Sequence, residues 1–400
     1  MDARAGAKDA DDRGNVRRAN LARVMGLLHL DGPLPRAVLT ERTGLNRSTV
    51  ADLVGQLERS GLVEQTEPDP NRRVGRPSPV VRVAPSVVAI AANPEVDALT
   101  IAAVGLDRRI VVRERIENRA RLARDPAEGA AATARLIAER VASWRHGALT
   151  GLRPVGVGLA VPGLVRRTDG LVRDAPHLRW RDAPLGALVG EQTGLSTATG
   201  NDASLGALAE HRYGAARGID DAIYLNGGAS GIGGGLIVEG RAVGGAGGYA
   251  GEFGQNRPGI EDPADRRAPG GVLEDEVSRR RLMDAVGLAT ADDPTLAGAL
   301  ATSRDPAVTA EIERECRILA TALANAANVL NPSVVVLGGF LAMLREHDPA
   351  ALLAAVRSQA MPACGERLEI RSASLADDRL LIGAAELAFA PLLGDPAASV

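Results

Sequence analysis

Two neighbouring stretches carry glycine at a density no helix interior tolerates: Asn226-Gly-Gly-Ala-Ser-Gly-Ile-Gly-Gly-Gly235 and Gly244-Gly-Ala-Gly-Gly-Tyr-Ala-Gly-Glu-Phe-Gly254. Each glycine costs a helix about 1 kcal/mol relative to alanine. The stretches therefore read as loops whose backbone N–H groups approach an oxyanion or a sugar. Glycine-rich hairpins between strands have the same composition, so the surroundings must decide. On both sides β-like runs (Val87 to Ala91, Leu99 to Val104, Val155 to Leu159, Ala222 to Leu225, Val334 to Leu337) alternate with helical stretches such as Ala127 to Trp144. That alternation is an α/β pattern.

At 400 residues, with 45% hydrophobic and 24% charged side chains, the chain is large enough for two or three domains with conventional apolar cores. Whole-chain disorder is excluded. Two distant cysteines, Cys316 and Cys364, build neither a disulfide framework nor an all-thiolate zinc site, and they fit a reducing, cytoplasmic setting. The first twenty residues lack the apolar core of an export signal, and residues 1–16 read as a solvated tail. The longest uncharged run, between Arg317 and Arg345, is interrupted by Asn325, Asn328, Asn331 and Pro332, which argues against a membrane span.

The net charge of −3 conceals a segregation: from Arg13 to Arg82 there are twelve Arg against seven Asp plus Glu, an excess of about +5. Over residues 17–84 the pattern predicts a helix bearing Leu21, Val24, Leu27 and Leu28, then a short helix from Ala37 to Glu41. A turn follows at Thr43-Gly44. A third helix, capped by Asn46 or Ser48, carries an apolar stripe of Val50, Leu53, Val54 and Leu57. A hairpin follows, with strands Leu62 to Thr66 and Pro79 to Val83 and a tip rich in Pro, Gly and Arg. This order is that of a winged helix-turn-helix. Its third helix would enter the major groove of double-stranded DNA with Asn46, Arg47, Ser48, Thr49 and Asp52 opposite the stripe. The tip would offer Arg72, Arg73 and Arg76 to phosphates or a narrow minor groove. Helix-turn-helix shapes also pack inside enzymes, and basic loops are commonly just solvated.

Beyond Pro85, short motifs follow one another: Ala160-Val-Pro-Gly-Leu164, Ala175-Pro-His-Leu-Arg-Trp180, Gly200-Asn-Asp-Ala203, the Gly-Ile-Gly-Gly-Gly run, Ala250-Gly-Glu-Phe-Gly254 and Gly271-Val-Leu-Glu274. Their order, behind a winged helix, resembles the ROK family of sugar kinases and sugar-responsive repressors. The resemblance implies an α/β, actin-like, two-lobed ATPase (sugar-kinase-like) fold preceded by the winged helix-turn-helix. Lobe one would span 85–217, completed by a C-terminal helix over 378–394, and lobe two 218–377. It also implies a sugar pocket from Gly163, His177, Asn201, Asp202, Glu252, Gln255 and Glu274, with Asp202 at the position of the kinase base.

Three departures from the family stand out. The metal-ligating His position is Gln255, and the family's CxCGxxGCLE segment reads Asp265-Arg-Arg-Ala-Pro-Gly-Gly-Val-Leu-Glu274, without cysteine, so no structural zinc is expected. The first phosphate loop, a DxGGT turn in the family, reads Asn93-Pro-Glu-Val-Asp97, lacking glycines and bringing Glu95 towards phosphate, so no ATP cofactor is expected. The second phosphate loop survives as Ala229-Ser-Gly-Ile-Gly233, either as a folding turn or as a nucleotide site. Third, His177 stands where the family often has Asn. The resulting expectation is a non-enzymatic repressor, a homodimer or homotetramer on an inverted-repeat operator, released by a sugar or sugar-phosphate effector. An active sugar kinase and a constitutive DNA-binding protein with a vestigial pocket use the same residues.

Overall fold

The computed structural model describes residues 3–66, 78–95, 98–117 and 126–398. Its first helix, α1 (Ala3–Asp31), begins well inside the stretch expected to be an irregular tail. Alanine alternating with charged residues carries enough local helix propensity to extend a helix beyond its packed part. After β1 (Leu34–Pro35) come α2 (Arg36–Thr43) and α3 (Arg47–Arg59). Gly44 closes α2 in the left-handed region at φ 69°. The Asn46 side chain caps α3 by accepting from the Thr49 amide at 2.8 Å, while Val50, Leu53, Val54 and Leu57 are buried. The wing strands β2 (Val63–Thr66) and β3 (Val80–Val83) pair antiparallel, with β1 on the far side of β3.

Lobe one is built on a sheet of β4 (Val87–Pro94), β5 (Ala98–Gly105), β6 (Ile110–Glu117), β7 (Arg153–Val161) and β11 (Thr197–Asn201), in the order β11-β7-β4-β5-β6. A small sheet of β8 (Leu164–Val165), β9 (Val172–Ala175) and β10 (Trp180–Ala183) flanks it. Along β4 the side chains alternate between two cores. Val88, Ile90 and Ala92 face α4 (Pro126–Arg145) and α5 (Leu185–Thr193). On the other face lie Val87, Ala89 and Ala91, which share a single core with Leu21, Val24, Leu53 and Leu57 of the winged helix. The winged helix is thus packed onto lobe one, not tethered to it.

A second sheet, ordered β14-β13-β12-β15-β16, comprises β12 (Ala222–Gly228), β13 (Gly231–Val238), β14 (Arg241–Ala242), β15 (Val334–Gly339) and β16 (Glu369–Ser372). Between the two sheets lies α6 (Asp202–Tyr213). The long α7 (Pro306–Leu330) covers the outer face of the second sheet. The last helix, α8 (Arg379–Gly394), returns to pack on β4, β7 and α6.

The first glycine-dense stretch proves to be mostly strand. β12 and β13 form a hairpin closed at Gly228 and Gly231, and the glycines of β13 let α6 approach the sheet. A Cβ at Gly233 would sit 2.7 Å from that of Ala203, and one at Gly235 would overlap Ala207. Only the turn itself, Ala229-Ser230, is loop, and close packing accounts for much of the run: Gly233 and Gly235 against α6, and Gly234 against Phe253 and the Gly251 carbonyl.

Candidate ligand pocket and nucleic-acid interface

A cleft of about 320 Å³, in the size range of small-ligand pockets, opens between the two sheets. It brings together all seven residues expected to contact a ligand: Gly163, His177, Asn201 and Asp202 from lobe one, and Glu252, Gln255 and Glu274 from lobe two. Asp174, Asn226 and Ser230 also line it. No sequence motif marked Asp174, and Asn226 entered only as the first residue of the glycine-dense stretch.

Asn201 is fixed at three points. Its side-chain oxygen caps α6 by accepting from the Ser204 amide at 2.9 Å, and its Nδ2 donates to Gly163 O at 3.0 Å and lies 3.3 Å from Asp202 Oδ1. Asp202 Oδ1 also accepts from the Ala203 amide at 2.8 Å. Burial pushes the Asp202 carboxyl above the ordinary range, opposed by that amide and by the charge of Arg379. Burial likewise raises Glu252, helped by the negative charges of Asp202 and Glu274. Glu274 accepts from the Gln255 amide and, at 3.2 Å, from the Ile232 backbone N–H. Gly231 makes that last bond possible: its φ is 111°, and a side chain there would overlap the Glu274 carboxylate. The second phosphate-loop turn therefore serves as a seat for Glu274. His177, exposed in a short 3₁₀ turn (Pro176–Leu178), stands at the mouth.

The side chains at the family's zinc positions do not fit a zinc ion. The Asp265 carboxylate is held by Arg317 at 2.8 and 3.0 Å, Gln255 donates to Glu274, and Arg267 and Val272 offer no ligand. Nor does the start of the β4–β5 turn fit a phosphate. β4 stays paired through Pro94, which has no N–H, and the Asn93 amide donates to Glu95 at 3.2 Å while Arg115 neutralises Glu95 at 3.3 Å. Val96 and Asp97 lie outside the described residues.

On the winged helix, Asn46, Arg47, Ser48 and Asp52 are exposed and Thr49 is half-buried, all turned away from the buried stripe of α3. Asn46 spends its side-chain oxygen on the Thr49 amide and the Ser48 hydroxyl, so its role as a helix cap competes with base reading. Arg72, Arg73 and Arg76 lie outside the described residues.

A buried polar cluster that sequence reasoning missed ties the winged helix to α8 and to the last turn of α6. His29, near the end of α1, is 2% exposed, and its Nδ1 donates to Leu106 O at 2.8 Å. Its Nε2 lies 2.7 Å from Glu386 of α8 and 2.9 Å from the hydroxyl of Tyr213 at the end of α6. Arg212 pairs with the other oxygen of Glu386, and Arg108 donates to His29 O at 2.8 Å while covering the Tyr213 ring at 4.4 Å. A lone acid within the apolar run Leu380 to Phe389 was the one available signal.

No helix among the described residues is long and apolar enough to cross a membrane. Residues 20–67 match the IclR helix-turn-helix domain. The xylose repressor of Caldicellulosiruptor bescii is 27% identical over 257 residues, covering 60% of this chain and 64% of that protein, so the match spans under two thirds of the relative. The xylose repressor of Bacillus spizizenii is 23% identical over 94% of this chain and 96% of its own length. The glucokinase of Halalkalibacterium halodurans is 30% identical over 57% of this chain and 74% of its own length. Among solved structures, a ROK family transcriptional regulator described as a homologue of the E. coli Mlc protein superposes with TM-score 0.77 at 22% identity, over 95% of this chain and 97% of its own. With residues 96–390 matching that family and a helix-turn-helix in front of them, the chain belongs to the ROK family.

Proposed function

We propose that this chain is a sugar-responsive transcriptional repressor that binds an inverted-repeat operator as a homodimer or homotetramer and does not phosphorylate its effector. The observation that carries this reading is the placement of α6. Its first turn carries Asn201 and Asp202 in the pocket, and its last carries Arg212 and Tyr213 against Glu386 and His29. A helix of this length spans about 18 Å, so movement at the pocket reaches the DNA-binding module through one rigid element and a shared core. A ligand alters DNA binding only if its affinity differs between two arrangements of those parts. The repressor names of the two xylose repressors agree with this reading.

The pocket also bears on the kind of effector. Asp174, Asp202, Glu252 and Glu274 line it, and among the described residues no Lys or Arg does. A phosphate there would face carboxylates at close range, so a neutral sugar is preferred over its phosphate ester. The retained Asp202, raised by burial, is the one observation favouring a sugar kinase, since a general base works best with a raised pKa. Against it stands the start of the β4–β5 turn, whose described residues offer a phosphate no cradle.

The test is an anisotropy titration of the full chain on its own upstream intergenic DNA at fixed salt, with neutral sugars and their phosphates. Release by a neutral sugar supports the reading. Selective binding indifferent to every sugar leaves a constitutive regulator, and ATP turnover lost in Asp202→Asn establishes the kinase.

A further inference from the structure

Arg314 of α7 heads the largest fully buried side chains among the described residues, at 2% exposure. Nη1 donates to Asp265 O at 2.7 Å and to Glu276 Oε2 at 3.3 Å, and Nη2 donates to Glu276 O at 2.6 Å and to Glu311 at 2.7 Å. Glu276, fully enclosed, accepts from the backbone amides of Arg267 and Ala268 at 2.9 Å each. One buried ion pair thus gathers the segment 265–268 and the short helix Leu273–Glu276 onto α7. This is the segment whose family counterpart carries zinc cysteines, and whose side chains here do not fit zinc.

We propose that the Arg314–Glu276 pair is a metal-free staple that does the zinc's positioning work, holding Glu274 two residues upstream at the pocket wall. Zinc binds several ligands from one loop at a single centre. The guanidinium fork does the same with oxygens, and the Glu276 carboxylate takes up the two backbone donors the loop would otherwise leave unsatisfied. Order in the loop then depends on Arg314 and not on metal supply. Arg314 touches no ligand-lining atom and acts as a positioning residue. Its effect on effector binding rests on the sensing reading above, whereas its effect on the loop does not.

Hydrogen exchange on the full chain separates the two. In wild type, protection of the Arg267 and Ala268 amides should be unchanged by EDTA or zinc chloride. In Arg314→Met and in the milder Glu276→Gln, those amides should exchange more than about tenfold faster while β4 and β7 keep their protection. Arg314→Lys, with charge but no fork, should restore protection only in part. Protection that falls with EDTA, or that survives in Glu276→Gln, overturns the staple. With D-xylose and D-glucose as probes, a sugar that releases wild type from DNA should need at least about tenfold higher concentration for Arg314→Lys. Should neither sugar act on wild type, the wider sugar panel above decides the sensing reading, and the exchange result still decides the staple.

Discussion

His29 Nε2 lies 2.7 Å from Glu386 Oε1, although the two residues are 357 positions apart and both side chains are almost wholly enclosed. Burial alone would raise the Glu386 carboxyl, but the hydrogen bond and charge of His29, with Arg212 and Tyr213, hold it below the ordinary range. A depressed folded value means the contribution to stability is complete above the unfolded value and is lost as pH falls through the folded one. His29→Ala should cost about 3–5 kcal/mol in urea unfolding at neutral pH, because it strips a partner from a buried charge. Tyr213→Phe should fold normally and bind sugar as before, yet show a smaller sugar-dependent change in DNA affinity. An unchanged response in that variant would remove α6 from the signalling route.

Glu315 supplies a pH test of the opposite sign. Burial pushes its carboxyl from the ordinary 4.5 up to about 8, against a single bond from the Ser278 amide and with Glu311 adding to the rise. Its Oε2 has no hydrogen-bond partner among the described residues. Between these values the folded chain keeps a proton that the unfolded chain has released, so stability falls as pH rises through the window. Glu315→Gln should therefore raise stability at pH 8 by on the order of 1–3 kcal/mol and change little at pH 5. Parallel denaturant curves at the two pH values measure it.

On the DNA face, Arg47→Ala should lower affinity for the specific site by about 1–3 kcal/mol and relax preference at one base position. Arg73→Ala and Arg76→Ala should weaken binding more evenly across sequences and flatten the salt dependence. Anisotropy titrations over a range of salt distinguish the two patterns. Unchanged affinity in all three would move the DNA surface elsewhere.

Gly383 of α8 packs where α8 crosses α6, and a Cβ there would overlap the Leu205 carbonyl. Gly383→Ala should destabilise the chain by about 1–3 kcal/mol or more, since the clash is with backbone rather than a movable side chain. Because the crossing joins α6 to the core shared with the winged helix, DNA affinity should fall along with the unfolding midpoint.

The parts of this architecture that were legible are those coded by adjacent residues. Gly44 ends α2, Asn46 starts α3 and the stripe Val50, Leu53, Val54, Leu57 sets its buried face, all locally, and the winged helix follows from them. The pocket was legible only through short motifs in order, since nothing in Asn201 or Glu274 alone says that they meet. Gly233 and Gly235 of β13 read as loop because their true neighbour, α6, is not visible from their own stretch. His29 with Glu386 and Arg314 with Glu276 lay beyond reach for the same reason: each charge is tolerable in its burial only beside a partner that the fold delivers.

The hairpin joining β4 to β5 carries an evolutionary consequence. In a relative that binds phosphate, a glycine turn interrupts the chain after the first strand. Here the backbone stays in register with Pro94 opposite Leu99, and Glu95 is neutralised by Arg115 across the sheet. Restoring a cradle would require unpairing that register, replacing the proline and freeing the arginine together. On the non-catalytic reading proposed above, this register works as a ratchet in the backbone: changes among the pocket side chains alone leave it in place.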